Sequence, residues 1–544
     1  VSAIDRTSPE RSAAARDDSK IRLTCVRCRR GYPWSLTLIC PDCGGLIDID
    51  YDLSRATIAP EGPPMHRYFD LLPLASRDNV IDGGEGNTPC VHARELGRAI
   101  GLDNLYVKME GANPTRTTKD RQGTQAVATF RDLGVSHFVT SSTGNSCTAL
   151  ARIVARYPDM KMSAFVGDEF LERLNWASAP NVTVYWLPNG SFVDAHAAAR
   201  WFSEREGIAA ERGFFFFGKR EALKVAYLEA VEQVRRPIEA YVQGVSSAMG
   251  VYATWKGALQ LQALGRIAKP PRLICVQEET CDPMVRAWRR GGASMTDADV
   301  VAMPRGLSKA TLRGDARGVY TYVRDAVIES GGTFLTVSQD AMRKMRALLV
   351  ETEGIDACYT SAMTVAAAAA LRREGQFNRD TTILLNLTGA DRIGMPHARA
   401  DFIVEKDGAG GFRIAPAGES EAAGSGARGS GDAIHTGVAA QSFDEARVDE
   451  AIDDHLARVL AVVQRIAAPA GDARLSPETR LVGGGLGLDS VSMLELALAL
   501  ESDFGCALGE AELRPPHTES VRSIAEMLRA KLPAAGAARP NDRG

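Results

Sequence analysis

Between Leu105 and Leu387 the chain repeats one pattern, a short apolar run of strand character followed by a stretch of helical spacing. The strand-like runs cover residues 105–109, 137–141, 162–166, 182–187, 214–217, 241–243, 273–277 and 383–387. Helical stretches fall between most of them, at 122–133, 147–157, 195–206 and 223–234. Strands separated by helices need crossover connections, and crossovers build a mostly parallel α/β sheet. In such sheets the ligand site lies beyond the carboxyl ends of the strands.

At 544 residues the chain exceeds one ordinary core, so two to four domains are expected. A hydrophobic fraction of 45% with 24% charged residues reads as globular. The net charge of −4 gives no reason to expect nucleic-acid binding. No apolar stretch is long enough to span a bilayer, and residues 1–20 lack the apolar centre of a signal peptide, so no membrane association is expected. Composition then divides the chain into a lead-in at 1–20, a cysteine segment at 21–52 and the alternating zone at 53–405. A Gly/Ala/Ser-rich linker follows at 406–441, then a helical domain at 442–535 and a tail at 536–544.

Ten cysteines are few for this length, and six are scattered, which suits a reducing cytoplasm. The other four form two knuckles, Cys25-Val-Arg-Cys28 and Cys40-Pro-Asp-Cys43. Zinc prefers four thiolates in a tetrahedron, and paired knuckles supply them from two short turns. Gly44 and Gly45 would let the backbone turn tightly around the ion. All four ligand positions are filled, so the expected zinc is structural and does no chemistry.

The alternating zone carries four polar loops. Glu110-Gly-Ala-Asn-Pro-Thr-Arg-Thr-Thr-Lys119-Asp-Arg follows a strand and opens a helix. A lysine at a helix N-terminus meets positive partial charge, which favours the neutral, nucleophilic amine. That form is needed for an imine with an aldehyde. Taken alone, Lys119 would read as a surface lysine starting a polar helix. Ser142-Thr143-Gly-Asn145-Ser146, after the next strand, offers N–H groups and hydroxyls suited to a carboxylate, although an N-cap cluster looks the same. Gly84-Glu-Gly-Asn-Thr-Pro89 is a tight turn, and Leu385-Asn-Leu-Thr388-Gly389 leaves a strand with a hydroxyl at its tip.

In this order, these pieces resemble the fold-type II pyridoxal-phosphate (PLP) enzymes and, among them, threonine synthase: a zinc-ribbon-like head, GEGxTP, NPTxxxKDR, STGN and a late LTG. The resemblance covers residues 21–404. It implies two open, mostly parallel α/β subdomains behind an N-terminal zinc ribbon. It implies that Lys119 holds the cofactor through an imine and later shuttles the Cα proton. Asn145 would bond the cofactor's 3′-oxygen, Ser142, Thr143 and Ser146 the substrate carboxylate, and Thr388 the pyridine nitrogen. The phosphate cup falls on Gly244, Val245, Ser246 and Ser247, where serines and valine replace the usual glycines and asparagines. A homodimer is the assembly the resemblance suggests. Other departures are Arg116 and Thr118 in the lysine motif and Cys358-Tyr-Thr-Ser361 in place of Glu-Pro-Ala-Ser. The EGxKT element survives only in part, at Glu221-Ala-Leu-Lys224. These differences count against phosphohomoserine as substrate, and Arg116 offers either a fork for an anion or an ordinary solvated arginine.

The last zone resembles an acyl or peptidyl carrier protein, a four-helix domain with Gly-Leu-Asp489-Ser490 at the start of its second helix. Ser490 would carry a 4′-phosphopantetheine arm, added by a phosphopantetheinyl transferase. A PLP domain tethered to a carrier raises the effective concentration of each for the other. The fusion therefore points to specialised metabolism, beside polyketide or non-ribosomal peptide synthetase enzymes, with β- or γ-elimination or replacement on an amino acid substrate. The rival readings are a deaminase that stops at elimination, and a PLP-like scaffold without catalysis.

Overall fold

The computed structural model describes residues 20–418 except 303, 393 and 409, and beyond them 459, 462, 463, 476, 478, 479, 481, 496, 500, 504 and 520–531. Two compact units divide the chain, Val1–Gly429 and Ser430–Gly544.

The strands of the first unit begin with β1 (Ile21–Cys25), β2 (Gly31–Tyr32), β3 (Ile47–Tyr51), β4 (Cys90–His92) and β5 (Leu105–Met109). Next come β6 (His137–Ser141), β7 (Lys161–Gly167), β8 (Val182–Leu187), β9 (Ala209–Ala210) and β10 (Ala240–Gly244). The last are β11 (Arg272–Glu278), β12 (Thr333–Val337), β13 (Ile383–Leu387), β14 (Phe402–Lys406) and β15 (Phe412–Pro416). They form a small antiparallel sheet, β2-β1-β3, and two six-stranded sheets. The first runs β12-β11-β10-β13-β5-β4, parallel except for the β4–β5 pair. The second runs β15-β14-β8-β7-β6-β9, parallel except for the β14–β15 hairpin.

The expected α/β architecture is the observed one. Central strands such as β10 and β13 are buried along their whole length, which is why they read as continuous apolar runs instead of alternating ones. Side chains from β5, β10, β11 and β13, among them Val107, Val242, Ile274 and Leu385, share one core with the helix Tyr359–Arg373. Among the described residues no helix is long and apolar enough to cross a membrane.

Two readings need correction. Residues 214–217, expected as a strand, form a 3-10 turn (Gly213–Phe215) and the start of a helix (Phe217–Ala222). Four phenylalanines in a row give no alternation. Here Phe216 stacks on Phe130 at 4.4 Å while Phe214 meets Tyr252 at 5.6 Å. The fully buried Arg220 donates to the Phe214 carbonyl at 2.7 Å, which holds the turn. The other correction concerns the end of the catalytic zone. β15 lies within 406–441, the stretch read as linker, and pairs with β14 along five residues. Phe412 packs on Trp201 at 5.7 Å, so the sheet continues past 405 despite the glycines between the two strands.

In the second unit Val459, Val462, Val463, Leu481, Leu496, Leu500 and Phe504 share a core with Val521, Ile524 and Leu528 of the helix Val521–Lys531. Spacings of three and four within these sets are those of helix faces turned inward. Ser490 lies outside the described residues.

Candidate active site

Three of the four motif loops, and the cup loop with them, leave the carboxyl ends of parallel strands, where an open α/β sheet places its ligands, while the Gly84–Pro89 turn precedes β4. β5 leads into the lysine loop, β6 into Ser142–Ser146, β10 into the cup, and β13 into Thr388–Gly389. Since β10, β13 and β5 are adjacent, three of these loops emerge side by side.

Lys119 is the first residue of the helix Lys119–Asp132 and is half-buried. Its loop is joined to the β13 loop by backbone: Thr118 N–H donates to the Thr388 carbonyl at 2.9 Å, and Ala390 N–H to the Arg116 carbonyl at 2.9 Å. Ser361 Oγ clasps the same loop, donating to the Gly389 carbonyl at 2.8 Å. The lysine helix also meets the other two loops. Gln122 Nε2 lies 3.0 Å from Sδ of Met249, the first residue of the helix after the cup. A Cβ on Gly123 would stand 2.6 Å from the Ala149 carbonyl, so glycine lets the helix Asn145–Val154 pack closely. The lysine helix and its loop thus contact the Thr388 loop, the helix that begins at Asn145 and the helix that follows the Gly244–Ser247 cup.

Burial pushes the Lys119 ammonium down to about 8, Lys219 lowers it further, and Glu211 opposes them. Lys219 and Glu211 form a buried ion pair at 2.8 Å, and Glu211 also accepts from Thr140 Oγ1 at 2.8 Å and from Gly213 N–H at 2.9 Å. Lowering the value toward 8 raises the neutral fraction near physiological pH, and the neutral amine is the form able to attack an aldehyde.

In the second loop, Gly144 takes φ 113°. Ser142 Oγ accepts from Gly144 N–H at 3.0 Å and Cys147 N–H at 3.4 Å, shaping the helix entry. Asn145 and Thr143 are half-buried, and Ser146 Oγ is buried with no partner. A buried hydroxyl without a partner costs free energy that a bound acceptor would remove.

The cup departs from expectation in one detail. Ser246 and Ser247 avoid the left-handed conformation, which falls on Ala248 at φ 54°. Gly244 is held by packing, since a Cβ there would stand 2.5 Å from the Thr360 carbonyl. Beyond Ala248 the helix Met249–Ala263 begins, and its first N–H groups have no acceptor within the helix, as an anion requires. The loop therefore fits a phosphate despite its serines.

A buried ionic network that the motif reading missed supports these loops. Arg121 donates to Glu110 at 2.7 Å and Glu229 at 2.8 Å, and Lys108 Nζ donates to Glu229 at 2.8 Å. Thr88 Oγ1 and Asn87 N–H join it through Glu110 and Glu229, which fixes the Gly84–Pro89 turn. The available signal was charge inside apolar elements, Lys108 in a strand and Glu229 in a helix. Glu221 and Lys224 belong to another cluster that engages the cysteine segment. Tyr51 donates to Glu221 at 2.9 Å, and Lys256 bridges Glu221 and Asp48.

The four cysteine sulfurs lie within 4.8 Å of one another. Sγ separations of 3.4 Å for Cys25–Cys43 and 3.7 Å for Cys28–Cys40 approach the roughly 3.8 Å edge of a zinc tetrathiolate with bonds of about 2.3 Å. A Cβ on Gly45 would stand 2.8 Å from Cys25 Sγ, and Gly44 takes φ 68°, so both glycines are needed there. The set fits zinc.

Residues 81–389, more than half of the chain, match the family of pyridoxal-phosphate dependent enzymes, and the fold and lysine site agree: the chain belongs to that family. Its relatives place it more closely. The cysteate synthase of Methanoculleus marisnigri is 31% identical over 388 residues, covering 68% of this chain and 88% of the relative. The threonine synthase of Methanocaldococcus jannaschii is 27% identical over 374 residues, covering 67% and 91%. Maize serine racemase, a solved structure, is 16% identical with a TM-score of 0.46, over 56% of this chain and 88% of that one. The protein is thus a PLP-dependent enzyme of the threonine synthase and cysteate synthase family.

Proposed function

We propose that the protein performs β- or γ-replacement on an amino acid at Lys119 and exchanges substrate or product with a phosphopantetheine arm on Ser490, within a thiotemplate pathway. The observation that carries the catalytic half is the placement of Lys119, joined by backbone to the Thr388 loop and by packing to the cup helix. When bound, PLP supplies an electron sink for charge developing at the substrate Cα. The chain does the rest. The Lys119 amine, neutral above about pH 8, takes the Cα proton and returns it. Ser146, with Thr143 and Ser142, orients the substrate carboxylate. Asn145 and the Thr388 hydroxyl hold the ring, and Gly244–Ser247 hold its phosphate.

The test offers the holo-protein O-phospho and O-acyl hydroxy amino acids together with a thiol or an inorganic nucleophile. Products containing the nucleophile are expected. A keto acid and ammonia with no incorporation would instead make the protein a lyase that stops at elimination.

The inward-facing apolar set of the second unit supports a small helical bundle of carrier type. With a phosphopantetheinyl transferase and coenzyme A, intact mass will show one arm added per chain, and none in Ser490→Ala. A wild-type chain that stays unmodified overturns the carrier assignment. We also assign a structural zinc ion to Cys25, Cys28, Cys40 and Cys43. Elemental analysis will give one zinc per chain, and chelation will lower the melting temperature. Metal-free protein that melts unchanged would refute it.

A further inference from the structure

Strands β10 and β13 carry a polar face inside an otherwise apolar sheet. Tyr241 and Gln243 alternate along β10, and Asn386 of β13 lies directly beside Gln243 in the parallel register. All three are buried. Asn386 Nδ2 donates to Tyr241 Oη at 2.6 Å and to Gln243 Oε1 at 3.2 Å, and Tyr241 Oη donates to Gln243 Oε1 at 2.6 Å. Burial pushes the Tyr241 hydroxyl above its ordinary 10, which keeps its proton available for that bond. The opposite faces of the same strands, with Val242 and Leu385, pack into the apolar core around the helix Tyr359–Arg373.

This triad adjoins both loops assigned to the cofactor. Gln243 immediately precedes the Gly244–Ser247 cup, and its amide lies against the first turn of the helix Met249–Ala263. A Cβ on Gly250 would stand 2.7 Å from both Nε2 and Oε1 of Gln243. Asn386 stands just before the Thr388 loop, whose carbonyl accepts from Thr118 N–H beside Lys119. Backbone pairing of β10 with β13 ends at Gln243 and Asn386, so the side-chain bonds sit where the ladder gives out and the two loops diverge. The arrangement is costly. Asn386 Oδ1 is buried with no partner, and a buried acceptor left unpaired loses its hydration without return. Stability alone would favour an apolar side chain at 386, like Leu385 and Leu387 beside it.

We propose that Asn386, acting through Tyr241 and Gln243, is a positioning residue that fixes the separation between the phosphate cup and the Thr388 loop, and with it the seating of the cofactor at Lys119. The proposal rests on the assignment of the PLP site above, and the test separates the two.

Three variants are compared with wild-type holo-protein: Asn386→Leu, Tyr241→Phe and, as a control, Val242→Ala, which opens the apolar face of the same strand. Visible circular dichroism of bound PLP reports the asymmetry of its surroundings, titration of apo-protein with PLP gives its affinity, and melting gives stability. Asn386→Leu is expected to keep the borohydride-reducible label on Lys119, to change the dichroic band and to weaken PLP about tenfold. Tyr241→Phe, which removes one oxygen, should move both readouts the same way by less. Adding it to Asn386→Leu should change little more, because the two residues act through one set of bonds. Val242→Ala should lower the melting temperature and leave the dichroic band as in wild type. An unchanged band and affinity in Asn386→Leu overturn the proposal; if that chain fails to fold, the same outcome in Tyr241→Phe overturns it. A band altered as much in Val242→Ala also overturns it, since the triad would then be ordinary packing. Wild-type protein without the Lys119 label would instead overturn the reading of the PLP site beneath it.

Discussion

Lys119→Ala will lose turnover by on the order of 10²- to 10⁴-fold, the range for removing a positioned proton-transfer group, and will lose the covalent cofactor altogether. Borohydride reduction of the wild type will leave a pyridoxyl label on Lys119, readable by peptide mass, and the variant will carry none. Wild-type material without the label would end the catalytic account. The same amine sets the pH dependence of cofactor uptake. Its folded-state value of about 8 lies below the ordinary 10.5. Uptake of PLP by apo-protein will therefore rise about tenfold per pH unit below 8 and level off above it. Between about pH 8 and 10.5 the unfolded chain binds a proton that folded apo-protein does not, so this group favours the folded form as pH rises there.

Glu229→Ala will destabilise the first unit by about 3–5 kcal/mol, because it strips the fully buried Lys108 and Arg121 of a shared counter-ion. Denaturant titration will show the lowered midpoint. The cofactor will also bind less well, since Asn87 N–H loses its acceptor and the Gly84–Pro89 turn loosens. Glu110, drawn to about 2 chiefly by Arg121 against its desolvation, contributes stability present above its ordinary 4.5 and lost as pH falls toward 2. A Glu229→Ala midpoint equal to wild type would mean that the network is dispensable.

The sequence disclosed the four catalytic loops because each is contiguous and lies at a strand end, where apolar run gives way to polar turn. Strands β5, β6, β8 and β13 were read at their observed limits for the same reason. The phenylalanine run misled because strong apolar character carries no periodicity. β15 was hidden by the glycines around it. The placement of Arg392 could not be read: it bonds the Arg173 carbonyl 219 positions away, and only the tertiary fold brings the two together. Lys219 and Glu211 fail for a similar reason, since nothing local distinguishes a buried ion pair from two surface charges.

The Asp48 cluster bears on where this protein can be shortened. Asp48 and Tyr51 in β3 bond Arg220, Lys256, Tyr252 and Glu221 of the main body. A version beginning after Tyr51 would leave three buried cations, Arg220, Lys224 and Lys256, with Glu221 as their remaining partner in that cluster. The thiolate-bearing head is therefore part of the catalytic unit's own interior, and trimming it will yield insoluble material instead of a smaller working enzyme.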